Sequence, residues 1–189
     1  NSVVQNLYQK TRLPMTDRVL LLGPDAMSYD KYLVSGGKPC APSIDKFKKW
    51  AEGMDLVVFD PLSAFITGEG VENDNIQMRM LFDSIASITS TAGAACLVLA
   101  HHGKPQIDTF GREHSRSKYA IRGASGIEDS STSIFYLGKS DADDPTQKAT
   151  GGQVFELKCR KYKGETPPEY RLLRNAETLT HTLLGHRPF

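Results

Sequence analysis

Several things are scarce in this sequence, and each scarcity closes off a class of protein. Apolar runs are short. Ala95–Ala100 has six such residues, far from the eighteen or more of a membrane helix, and no signal peptide is visible. Cysteine is limited to Cys40, Cys96 and Cys159, an odd number, widely separated and without metal-ligand spacing. That excludes a disulfide scaffold and fits reduced thiols in a cytoplasmic protein. Charge of one sign is missing too: 23 Lys and Arg against 22 Asp and Glu leave a net charge of +1. A nucleic-acid partner must therefore be held by a local patch and not by a global field. There is no internal repeat and no initiating methionine. The apolar stripe Val3, Val4, Leu7 and Tyr8 opens the chain as if a helix were already under way.

What is present reads as an α/β protein. A chain of 189 residues fits one domain that buries about 70% of its unfolded surface. Arg18–Leu22 reads as a buried strand stopped by Gly23-Pro24, and residues 23–42 as loop. Ser43 is a suitable N-cap for a helix facing inward through Ile44, Phe47, Trp50 and Ala51 and ended by Gly53. Leu56-Val-Val-Phe59 is apolar at every position, the pattern of a strand buried on both faces of a parallel sheet. A helix capped by Asn73 or Asp74 follows, with Met78, Leu81, Phe82, Ile85 and Ile88 on one face and Gly93 at its end. Ala95–Ala100 then completes a βαβ unit, whose crossover should be right-handed.

Beyond it, Arg122–Ile127 opens a short helix, Ser133–Leu137 is a strand, and Asp141–Gly152 reads as a solvated loop. The tail alternates through Val154, Phe155, Leu157 and Cys159 and again through Tyr170, Leu172, Leu173 and Leu179, as antiparallel strands do. The expected whole is a sheet parallel in the middle with antiparallel strands added at one edge.

Ligands of open parallel sheets bind beyond the carboxyl ends of the strands. Two strands of this chain end there in polar groups, one in Asp60-Pro61 and one in His101-His102. The plain reading is a turn and a pair of loop histidines. The functional reading is a carboxylate that holds Mg²⁺ on a nucleotide's phosphates, beside a polar side chain that touches the terminal phosphate or the attacking water. The next segment carries Lys104, Arg112, Arg116, Lys118 and Arg122 against Asp108 and Glu113, with His114 and Tyr119 interspersed. Cations interleaved with an aromatic suit phosphate contact and base stacking on a single strand, though exposed charged loops are also common. Lys158, Arg160, Lys161 and Lys163 form a second basic cluster, either a solvated strand end or a source of an arginine for a neighbouring subunit's phosphate.

In this order, "DLVVFDPLSAF", a capped helix, "LVLAHHGKP", a basic loop, "RGASGIEDSSTSIFYL" and "LKCRKYKG" resemble the RecA-like ATPases of the RepA type, relatives of DnaB-type hexameric helicases. The resemblance covers about Leu56 to Gly164. It implies a P-loop NTPase fold, ATP and Mg²⁺ as cofactors, single-stranded DNA as partner and a hexameric ring. It assigns Asp60 to Mg²⁺ through the nucleotide and His101 and His102 to the sensor motif. It places Lys104, Arg112, His114, Arg116, Lys118 and Tyr119 on the DNA-facing loop. Arg122, or Arg160 with Lys158, becomes the cation supplied in trans to the nucleotide.

The departure is a missing phosphate loop. No G-x-x-x-x-G-K-[ST] occurs; Gly36-Gly37-Lys38-Pro39 is nearest and lacks the first glycine and the hydroxyl. The expectation is therefore that residues 1–189 are part of a RecA-like ATPase domain, the N-terminal part of the core being missing, and that this portion alone is inactive. The alternatives are a non-catalytic RecA-like DNA-binding or regulatory module, a phosphoacceptor domain using Asp60, and a mononuclear metal site of Asp60, His101 and His102.

Overall fold

A computed structural model describes residues 31–68, 74–101, 106–107, 113–114, 124–140, 145–165, 167–175 and 180–187. The helix expected at the start of the chain and the strand Arg18–Leu22 lie outside the described residues. The chain forms two compact units that meet in sequence between Ser131 and Thr132.

The unit ending at Ser131 begins with a hairpin in the stretch expected to be loop. β1 (Val34–Ser35) pairs antiparallel with β2 (Lys38–Pro39), and β1 also pairs in parallel with β4 (Ile66–Thr67). Gly36 and Gly37 make the turn with φ of 57° and 72°. Two successive positive φ values define the tight turn that matches strand twist, and glycine adopts them without a Cβ clash.

Helix α1 (Ala41–Ala51) starts two residues before the expected cap. Pro42 lies in its first turn, where a missing N–H costs nothing and a fixed φ favours helix. Ser43 is consequently inside the helix and buried, and Cys40 occupies the cap position without a side-chain bond. Helix α2 (Asn75–Ala92) agrees closely with its pattern. Asp74 accepts from the amides of Ile76 and Gln77 at 2.9 and 3.2 Å, and the Gln77 side chain donates back to it at 3.0 Å. Gly93 ends the helix at φ 67°. Met78, Leu81, Phe82, Ile85 and Ile88 are all buried, each contributing about 1.5–3 kcal/mol.

These helices pack on β3 (Leu56–Phe59) and β5 (Ala95–Val98), which pair in parallel. The expectation of burial on both faces is corrected here. Val57, Phe59 and Val98 turn toward the core, whereas Leu56, Val58 and Leu97 remain 52%, 48% and 46% exposed. Alternation sends successive side chains to opposite faces, and α1 and α2 cover only one of them. Four aromatic rings knit that covered side: Phe47 meets Trp50, Phe59 and Phe65 at 5.2, 6.1 and 5.8 Å between centroids. Helix α3 (Ala124–Ser130) packs on α2 near Gly126, where a Cβ would lie 3.1 Å from the Asn75 carbonyl oxygen.

In the other unit, β8 (Ile134–Lys139), β9 (Gln153–Lys161), β10 (Glu169–Arg174) and β11 (His181–Arg187) form an antiparallel sheet in the order β11-β10-β9-β8. The expected antiparallel tail is therefore present. The expected loop over Asp141–Gly152 is corrected, because it contains helix α4 (Pro145–Thr150). Proline suits its first turn, and Gly151 at φ 64° ends it by donating to the Gln147 carbonyl. The Gln147 side chain in turn accepts from the amide of fully buried Val154. Among the described residues, ladder bonds form four sheets.

Candidate functional site at the ends of the parallel strands

The strand register determines which groups emerge together. Leu56 lies opposite Ala95 and Phe59 opposite Val98, so both strands reach their carboxyl ends at the same level. Past that level the backbones stay bonded: the Leu99 amide donates to the Phe59 carbonyl at 2.9 Å. The chain leaving β3 passes through Asp60 and a cis peptide to Pro61, then enters a 3-10 helix over Leu62–Phe65. The Leu62 amide at its start donates to the Leu99 carbonyl at 2.7 Å. Phe59, Leu62 and Phe65 are buried, so exposed Asp60 is held between core anchors on either side. The apolar neighbours do the positioning, and the carboxylate itself faces water.

His101 is also exposed and follows Leu99 by two residues, beyond the end of the adjacent strand. A carboxylate and an imidazole thus project from the carboxyl rim of one parallel pair, the place where such sheets receive ligands. His102 lies outside the described residues. No group of three or more His, Cys, Asp or Glu side chains close enough to hold a metal ion occurs among the described residues. On the β5 strand itself, partial desolvation pushes the Cys96 thiol up from its ordinary range although the residue is exposed, so it stays protonated at neutral pH.

The sequence has one glycine-lysine stretch that resembles a phosphate loop, and its backbone argues against that use. A phosphate loop leads from a strand into a helix, with its amides turned on the ligand. Gly36-Gly37 instead forms a hairpin turn, and Lys38-Pro39 is the returning strand. Gly36-Gly37-Lys38-Pro39 is therefore not a phosphate loop.

The other candidates are dispersed. Lys104, Arg112, Arg116, Lys118, Tyr119 and Arg122 lie outside the described residues. His114 belongs to the two-residue strand β7 (Glu113–His114), paired antiparallel with β6 (Gln106–Ile107), so the segment read as a basic loop contains a short ladder. Lys158 is bonded to carboxylates of its own sheet, 2.9 Å from Glu156 and 3.8 Å from Glu169. Neither glutamate was singled out in the sequence, although Glu156-x-Lys158 is the spacing that puts two side chains on one strand face. Arg160 is exposed at a bulge, where Ile134 pairs with Lys161 and Phe135 with Cys159. A bulge re-aims the side chain it carries.

A model of the AAA domain family matches residues 9–106, more than half of the chain. The chain belongs to the AAA domain family. No curated protein matches it. The AAA match gives a P-loop ATPase-like relationship, and the mixed parallel and antiparallel sheets agree with an AAA-type domain. The AAA segment includes Asp60, His101 and His102 and ends before the Lys158–Lys163 cluster. Within it, the stitched ends of β3 and β5 are the local structure that presents Asp60 and His101.

Proposed function

We propose that this AAA chain is part of an ATP-driven motor on single-stranded DNA, of the RecA-like type found in RepA and DnaB-type helicases. The observation that carries the reading is Asp60, held on buried anchors at the carboxyl end of β3 beside His101 at the end of β5. Asp60 would hold Mg²⁺ on the nucleotide, and the bound MgATP would supply the transferable phosphoryl group. His101 and His102, at the neighbouring strand end, respond to the state of that group and pass it to the segment that follows. That segment, with Lys104, Arg112, His114, Arg116, Lys118 and Tyr119, contacts the DNA backbone and bases. Arg122 or Arg160 acts across a subunit boundary in a six-membered ring. The pairing of Lys158 with Glu156 and Glu169 supports a structural part for that lysine.

The phosphate cradle decides between this motor and a non-catalytic DNA-binding module. The test is to read the DNA upstream of the Asn1 codon. An in-frame G-x-x-x-x-G-K-[ST], followed by a strand ending in an acidic residue, supports the motor. In the protein carrying that loop, Asp60→Asn should then abolish Mg²⁺-dependent ATP hydrolysis while leaving DNA binding in place. A start codon beside Asn1 overturns the motor in favour of the binding module, as does an unchanged hydrolysis rate in Asp60→Asn.

A further inference from the structure

The two faces of the β8–β11 sheet differ in charge as well as in polarity, and the register shows which residues share a face. One face carries Phe135, Leu137 and Lys139 of β8, Phe155 of β9, Arg174 of β10 and His181 of β11. The other carries Glu156, Lys158 and Glu169, which pair with one another, together with Arg171 opposite Glu156 and Tyr136 opposite Lys158. Glu156 and Glu169 are the only carboxylates in these four strands, so the first face holds cations and no anion.

Its apolar part is not closed over. Phe135 and Leu137 are 45% and 50% exposed, and Tyr162, just past β9, is 46% exposed. The rings stand in edge-on pairs: Phe135 with Tyr162 at 6.4 Å and 65°, Phe155 with His181 at 5.6 Å and 76°. Edge-on packing leaves ring faces available, and the rigid sheet fixes their spacing at little entropic cost. Lys139, directly opposite Phe155, and Arg174, directly opposite His181, supply positive charge at the end of this surface. Apolar docking alone would need no such segregation of charge. Flat π surfaces beside cations, with both carboxylates of the four strands on the far side, suit a ligand that is aromatic and anionic in repeating units.

We infer that this face binds single-stranded nucleic acid, with bases stacking on Phe135, Tyr162 and Phe155 and phosphates drawn to Lys139 and Arg174. Its residues are not those of the basic segment at 104–122, and the inference does not depend on nucleotide hydrolysis.

The test measures the affinity of the whole chain for a labelled oligo(dT) and for an abasic oligonucleotide of the same length. Phe135→Ala and Tyr162→Ala should each weaken oligo(dT) binding by roughly 5- to 150-fold. The loss should persist at high salt, because stacking is not ionic, and should be absent with the abasic strand. Arg116→Ala and Lys118→Ala should change the salt dependence instead, so failure of either surface is read separately. Equal oligo(dT) affinity in wild type and the Phe135→Ala/Tyr162→Ala double variant overturns the inference. So does dissociation of a self-associated chain by Phe135→Ala with DNA affinity unchanged, which would make the face an interface between copies. Photo-crosslinking of wild type to 5-iodouracil-substituted strands guards against a misfolded variant. Adducts at Phe135, Tyr162 or His181 support the assignment, and adducts confined to residues 104–122 overturn it.

Discussion

Phe59 and Phe65 meet edge to face, with centroids 5.1 Å apart and planes at 80°. The contact ties the last residue of β3 to the end of the 3-10 helix that follows it, and Asp60 lies in the span between. The candidate carboxylate is therefore positioned by the aromatic core on both of its flanks. Phe59 is 1% exposed, and Phe59→Ala should cost about 3–5 kcal/mol, read as a lower urea midpoint. Phe59→Leu, which keeps most of the volume, should cost much less. Equal losses in the two variants would show that volume is not what Phe59 contributes.

The N-cap of α2 makes stability depend on acid. Hydrogen bonding from the Gln77 side chain and then the Gln77 amide, with a lesser contribution from the Ile76 amide, holds the Asp74 carboxyl below its ordinary value of 3.8 in spite of some desolvation. A carboxylate whose folded value is depressed contributes stability that is present above the unfolded value and lost as pH falls through the folded one. Thermal unfolding followed from pH 6 downward should thus show a loss beginning near pH 3.8 that Asp74→Asn removes. Asparagine keeps one acceptor for the Ile76 and Gln77 amides but loses the second for the Gln77 side chain, so at neutral pH Asp74→Asn should lie between wild type and Asp74→Ala.

Gly126 marks a close approach of α3 to α2. A Cβ there would lie 3.1 Å from the Asn75 carbonyl oxygen and 3.3 Å from the Met78 Cβ, a backbone atom and the first side-chain atom of a well-anchored helix. Alanine would gain up to about 1 kcal/mol of helix preference and lose about 1–3 kcal/mol by overpacking. Gly126→Ala should be net destabilising in chemical denaturation, and a gain would show that α3 can move away.

Gly138 has a different partner. A Cβ at this position would overlap the ring of Tyr136, two residues earlier on the same face of β8. The ring covers the space a side chain would take, an arrangement that shields a strand glycine. Gly138→Ala should destabilise the wild type, and the loss should shrink in a Tyr136→Ala background. A double-mutant cycle with no coupling would refute the arrangement.

Phosphate contacts made by the basic segment should appear in the salt dependence of DNA binding. Each contact on a single strand contributes about 0.7 to the slope of log K against log salt. Arg116→Ala with Lys118→Ala should lower that slope by roughly 1.4 in an oligo(dT) titration. An unchanged slope would remove both residues from the DNA surface.

Local order was legible in the chain wherever one element carried its own signal. The cap of α2 at Asp74, its stop at Gly93 and its apolar stripe depend on neighbours within four residues, so sequence alone determined them. The same holds for the paired polar endings of β3 and β5, since Asp60 and His101 each follow directly on an apolar run. Tertiary structure decided the rest, because it turns on contacts between distant segments. Whether Leu56, Val58 and Leu97 are covered depends on which helices pack on β3 and β5, and their own apolar character is the same either way. Gly36-Gly37 reads as loop until β1 finds β2 and β4, and α4 is invisible by periodicity because it is short and polar. Which side of the β8–β11 sheet each residue faces depends on the bulges at Arg160 and Leu184, since one inserted residue reverses every side chain after it. The sequence therefore determined the strongly patterned elements and their polar endings, and the strand register decided that Phe135 and Phe155 would lie on the face opposite Glu156 and Glu169.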